Sequence, residues 1–228
     1  MFDAKKRKAE RLSADVGDRI SVRSYNLLIG ATILYGFATN LATVLLAGYA
    51  LINLVDRFPW LIFVLLVGYL VMAIGGAILA MRSHRPIWSF VGYNLIVVPI
   101  GILLALILPD YALRYILLAV VLTGIVTAVM MALSVAFPRF FSKLGSSLLI
   151  ALILGILAEL LAVFFGFYGT LFDILFVILF SLYIGYDWYR AQAYPKTVDN
   201  AIDSAIDLYL DIINLFLRLL DVIDKIKN

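Results

Sequence analysis

Asp203, Asp207 and Asp211 recur every four residues through a stretch that is otherwise largely apolar. On a helix that spacing places them along one face, as a carboxylate stripe about 12 Å long. Three like charges so placed repel, and the repulsion is relieved by water, by cations or by bound protons. Two more acids stand in apolar surroundings, Glu159 within Leu148–Tyr168 and Asp187 at the end of Ile174–Tyr186. An ionised carboxylate near the centre of a membrane helix costs about 2.5–3.5 kcal/mol, so such groups face an interior cavity and a partner. Plainer readings stand beside this one. Asp203 suits a solvated helix start, Asp187 an ion pair with Arg190 one turn later, and Glu159 a protonated carboxyl bonded to a neighbouring helix. Asp211, followed by Ile212-Ile213-Asn214-Leu215-Phe216, lies deepest in apolar sequence and fits no such reading.

Other chemistries are excluded by residue type. There is no cysteine, hence no disulfide, thiolate metal site or cysteine nucleophile. The single histidine, His84, cannot supply a His-Glu-x-x-His zinc site; its short basic loop points to a solvated residue. None of the lysines lies in an apolar run, as a retinal linkage would need. Tyr186-Asp187 is similar to one motif of intramembrane aspartyl proteases, but the partner Gly-x-Gly-Asp is missing, because Leu208-Tyr209-Leu210 precedes Asp211. No enzymatic activity, cofactor or resident metal is expected. The basic cluster Lys5, Lys6, Arg7, Lys8 and Arg11 directly precedes the first apolar run, so it reads as a topology signal and not as a nucleic-acid surface.

These groups need a membrane to position them. Of 228 residues, 64% are hydrophobic and 14% charged, against about 45–50% and about 25% in an ordinary soluble domain. That is more apolar surface than one water-facing domain can bury, so the bilayer must be the solvent. Six runs are long enough to cross it: one within Tyr25–Val55, where a spanning helix leaves an extended exit, then Trp60–Met81, Ile87–Leu108, Tyr115–Phe137, Ser146–Tyr168 and Leu171–Tyr189. Their separators carry Pro59, Pro86, Pro109 and Pro138 together with charges, as membrane surfaces require. A seventh segment, Asp199–Leu220, carries the aspartate stripe. The expected fold is therefore an all-α polytopic membrane protein of seven transmembrane helices, the seventh either spanning fully, which puts the tail outside, or re-entrant, which returns it to the cytoplasm. Its parts are a basic cytoplasmic segment (1–24), the membrane domain (25–220) and a short charged tail (221–228). Gly75, Gly76, Gly92, Gly101, Gly155 and Gly185 are expected to permit close helix contact. With the N-terminus in the cytoplasm, thirteen basic residues fall on that side and only Arg57 and Arg114 on the other, before the C-terminal Arg218, Lys225 and Lys227 are assigned. This asymmetry predicts the N-in orientation.

Phe180-Ser181-Leu182-Tyr183-Ile184-Gly185-Tyr186-Asp187 and Asp207-Leu208-Tyr209-Leu210-Asp211-Ile212-Ile213-Asn214-Leu215-Phe216 closely resemble the signature of the Bax inhibitor family, the transmembrane Bax inhibitor motif proteins. Arg82, at the end of the second run, also matches the family pattern. The resemblance implies a seven-helix protein with a central C-terminal helix, acting as a pH-sensitive calcium leak in a bacterial cell membrane. It further implies that Asp187 and Asp211 share a proton as the pH sensor and that Arg82 is their latch partner. Calcium ions and protons are then the transported and regulatory species, and the lipid bilayer is the surrounding partner. Asp207, Asp203 and Glu159 are candidates for the cation pathway, since calcium takes several oxygen ligands. The sequence departs from some bacterial members in having no acid between Asp56 and Asp110. Two other readings use the same carboxylates or the same name: a proton/calcium exchanger, and a non-conducting regulator of stress or cell death that acts through protein partners.

Overall fold

The computed structural model describes residues 19–82, 85–166 and 169–227; the Lys5, Lys6, Arg7, Lys8 and Arg11 cluster and His84 lie outside the described residues. The described chain is all-α. Its eight helices are α1 Val22–Arg57, α2 Leu61–Arg82, α3 Pro86–Ile107, α4 Leu113–Ala136, α5 Pro138–Phe141, α6 Gly145–Phe164, α7 Thr170–Ala193 and α8 Val198–Lys227. A short 3-10 turn, Leu108–Asp110, follows α3. Six of these helices, α1 to α4, α6 and α7, are long and apolar enough to cross a membrane, and they carry the six apolar runs of the sequence.

The breakers act where their chemistry requires. Pro86 opens α3 and Pro138 opens α5, because a first-turn residue has no intrahelical partner for its N–H. Beyond the end of α6 at Phe164, Gly166 adopts φ 76°, the left-handed conformation that terminates helices and favours glycine. Two boundaries differ from expectation. The first apolar run is helical throughout, with no extended exit: the 36 residues of α1 rise about 54 Å, more than a hydrocarbon core of about 30 Å needs. The residues from 221 onward, expected as a tail, continue α8 to Lys227.

Burial separates α8 from the apolar helices. Leu45, Leu46, Tyr49 and Phe164 leave more than two thirds of their surface open, as helices facing lipid do. In α8, every residue from Asn200 to Ile206 is buried, and so are Leu208, Tyr209, Asp211, Ile212 and Ile213. A helix buried around its whole circumference while carrying aspartates must give those aspartates partners or protons.

The chain divides into two compact units. The first contains α1 to α3 with Tyr194–Ile206. Within it, α2 and α3 meet through Gly76 and Gly92, where a Cβ on either would come within 2.5 Å of the other's carbonyl oxygen. Gly101 of α3 similarly approaches Asn40 and Thr43 of α1, and Tyr93 donates to the Thr32 carbonyl at 2.9 Å. Gly75, expected to serve the same purpose, faces nothing within 4 Å. Lys196 lies over the Tyr25 ring, 4.6 Å from its centroid, and burial pushes its ammonium below the ordinary lysine value. The second unit contains Tyr111–Ala193 and the chain from Asp207 onward. Here a Cβ on Gly185 would overlap the Phe141 ring, and one on Gly155 would press on Phe176.

Gly92→Leu is expected to destabilise the detergent-solubilised protein by about 1–3 kcal/mol or more through overpacking, whereas Gly75→Ala stays within about 0.5 kcal/mol. Thermal unfolding of both variants checks this; equal losses would refute the α2–α3 contact.

Candidate functional site

Asp187 and Asp211 both belong to the second unit. Gly185, without a side chain, lets α7 lie close to α5 two residues before Asp187. Asp211 lies on α8, one turn beyond Asp207. Each aspartate is 8% exposed, and the two carboxyls are close enough to interact directly. Two ionised carboxylates so placed repel, and a proton held by one of them relieves the repulsion. No hydrogen-bond partner reaches the buried Oδ2 of Asp211. The arrangement suits two carboxyls that share one proton.

Arg190 completes the group. Its Nη1 donates to Asp187 Oδ1 at 2.7 Å, and Asp207 Oδ2 lies 3.9 Å from the same nitrogen. The guanidinium carbon stands 5.4 Å from the centroid of the Tyr186 ring. The helix-end ion pair expected for Asp187 and the carboxyl pair are therefore present together. One guanidinium stands against two buried acids, and Asp207, with 34% of its side chain exposed, adds a further carboxyl at the edge.

A second polar cluster occupies the other end of α7. Arg218 of α8 donates from Nη1 and Nη2 to the two oxygens of Glu159, at 2.5 and 2.7 Å. The same Nη1 donates to Asp173 Oδ1 at 3.0 Å, and Lys225 Nζ donates to Asp173 Oδ2 at 2.6 Å. Arg218 also lies over the Phe176 ring, 4.4 Å from its centroid, and Tyr111 donates to Asp221 at 2.5 Å. Glu159 is therefore the bidentate partner of an arginine and not a protonated carboxyl bonded to a neighbouring helix. Asp173, only 3% exposed, was not among the expected site residues. Its signal in the sequence was the pair of cations Arg218 and Lys225, seven residues apart and so on one helix face.

The remaining expected residues fall in the first unit. Asp203 is 4% exposed, not at a solvated helix start. Arg82 is the last residue of α2 and is exposed. Close to Asp203 in sequence, Asp199 accepts from the Ser89 hydroxyl at 2.7 Å, the Asn200 carbonyl accepts from the Tyr25 hydroxyl at 3.3 Å, and the Ser204 and Tyr25 hydroxyls share a hydrogen bond at 3.1 Å. These polar contacts tie the start of α8 to α1 and α3. Among the described residues, no group of three or more histidine or acidic side chains converges to hold a metal ion.

Comparison with protein families gives a match to the family described as inhibitor of apoptosis-promoting Bax1, over residues 20–228. Among curated proteins, none matches the chain.

The distances at Arg190 rank its two partners. Double-mutant cycles on unfolding are expected to give a coupling of about 1 kcal/mol for Arg190 with Asp187 and a few tenths for Arg190 with Asp207. The reverse order would refute the assignment of Asp187 as the primary partner.

Proposed function

Because the chain belongs to the Bax inhibitor family, we propose that it is a pH-sensitive calcium leak of the bacterial type, with the Asp187–Asp211 pair as its sensor. The observation that carries this reading is the burial of two neighbouring carboxyls on different helices, Asp187 and Asp211, with Arg190 at 2.7 Å from the first. The resemblance of segments six and seven to the family signature supports the leak reading. The pair supplies a group whose charge changes by one unit when it gains or loses a proton.

In this reading the membrane domain has seven spanning helices, α8 being the polar one among them, and the N-terminus is cytoplasmic, as the distribution of basic residues favours. Arg82 acts as the latch partner, a role that rests on the family resemblance. Asp207 and Asp203 line the cation's route along α8. Carboxylates and backbone carbonyls suit calcium, and a leak needs sites weak enough to release it.

The sign of the pH response follows from the Arg190 contact. With one proton on the pair, Asp187 is ionised and held by Arg190 at 2.7 Å. A second proton removes that charge, and the guanidinium loses its close ionic partner. The contact is present when Asp187 is ionised and is lost as pH falls, so the leak is greater on the acid side.

Calcium flux into proteoliposomes across a pH series tests the proposal. The wild type should conduct above empty vesicles and faster at acid pH, and Asp187→Asn and Asp211→Asn should each abolish the pH step. An unchanged pH step in both variants would overturn the sensor assignment. Flux indistinguishable from empty vesicles would overturn the leak and favour the non-conducting regulator, and proton counterflow sustained against a calcium gradient would replace the leak by an exchanger.

A further inference from the structure

The Glu159–Arg218–Asp173–Lys225 cluster lies far from the sensor. Asp173 is in the first turn of α7 and Asp187 is fourteen residues on, about 21 Å along the helix axis. Glu159 stands five residues before the end of α6, so the cluster is set about one and a half turns inside that helix end. At this depth all four carboxyl oxygens of Glu159 and Asp173 receive a donor from a cationic side chain of α8. Two negative and two positive charges therefore face one another, and every carboxylate oxygen is already engaged by a cationic side chain.

The position of Arg218 Nη1 is informative. It lies 2.5 Å from Glu159 Oε1 and 3.0 Å from Asp173 Oδ1, close to where a calcium ion would stand between two oxygens, since calcium–oxygen distances are about 2.3–2.6 Å. The guanidinium is held there on several sides. Glu159 takes it bidentately, the Phe176 ring lies beneath it, and Gly155 leaves room for that ring against α6. Bidentate, ring-backed placement is what distinguishes arginine from a mobile lysine.

We propose that this contact is autoinhibitory: Arg218, with Lys225, is a tethered cation that fills the carboxylate oxygens a divalent cation would use at the end of the protein remote from Asp187 and Asp211. The effect on flux rests on the calcium-leak reading, but the occupancy of the oxygens does not. Removing the tethered cations frees two converging carboxylates for calcium, and the leak rises without any change at the sensor.

Calcium-dependent thermal stabilisation of the purified full-length protein, together with flux in liposomes, tests this. In Arg218→Gln/Lys225→Gln, calcium should raise the unfolding temperature where it leaves the wild type unchanged. Flux should rise by about tenfold, the scale of removing one nearby fixed charge, while its pH dependence stays as in the wild type. Adding Glu159→Gln and Asp173→Asn to that variant should cancel both effects. Glu159→Gln alone breaks the bidentate bond but keeps the cation, so its flux should stay near the wild-type value; a rise equal to that of the double variant would mean that the cluster is only a structural tie, and would overturn the proposal. Arg218→Lys, which retains the charge and reaches one carboxylate at a time, should give an intermediate gain and serves if the glutamine variant fails to fold. Absence of calcium stabilisation and of added flux in the lysine variant and in whichever glutamine variants fold would also overturn it. Calcium stabilisation of the variants without flux in any protein would retain the occupancy of the carboxylates and reject the leak.

Discussion

Burying two carboxyl groups against each other is affordable only while a proton or a cation offsets their repulsion, and the second unit puts two of its acids under that constraint. Asp187 and Asp211 are on different helices, each nearly inaccessible to water, and close enough to interact directly. The close approach of α7 to α5 at Gly185, the polar content of α8 and the placement of Arg190 all follow from that requirement. Two like charges there would stand in a poorly hydrated place, with one guanidinium beside Asp187. The chain can meet that cost by moving, by admitting a cation or by keeping the proton, which is why such a pair can act as a switch.

The same helix meets the problem of buried acids in two ways. Near its middle, Asp211 faces a second buried carboxyl, and a shared proton is what would neutralise it. Toward its end, α8 itself supplies the positive charge, and Arg218 and Lys225 hold Glu159 and Asp173. A proton exchanges freely with solvent and responds to pH, whereas an arginine remains charged throughout the physiological range. The first arrangement responds to pH and the second does not, and about 21 Å of α7 separates them; in the proposed function sensing belongs to one end and restraint to the other.

Much of this was legible in the sequence because each signal was local. Helix ends coincide with Pro86 and Pro138, since proline acts on its own turn. The pairing of Asp187 with Arg190 follows from a spacing of three on one helix. Asp173 was hidden for the opposite reason: an acid in the first turn of a helix is ordinary, and its partner Arg218 is 45 residues away. Gly75 and Gly76 are adjacent, yet only Gly76 touches α3, because a rotation of about 100° per residue separates their faces and the sequence does not carry the azimuth of the neighbouring helix. Asp203 reads as a solvated helix start until the burial of the first turns of α8 is seen.

The account depends on one proton residing in the Asp187–Asp211 pair, and infrared spectroscopy of the purified protein in lipid observes such a proton directly through the C=O stretch of a protonated carboxyl. At neutral pH the wild type should show this band, and both Asp187→Asn and Asp211→Asn should remove it, because either substitution leaves a single carboxylate with nothing to share. A wild-type spectrum without a protonated carboxyl at neutral pH, or a band that survives both substitutions, would contradict the account.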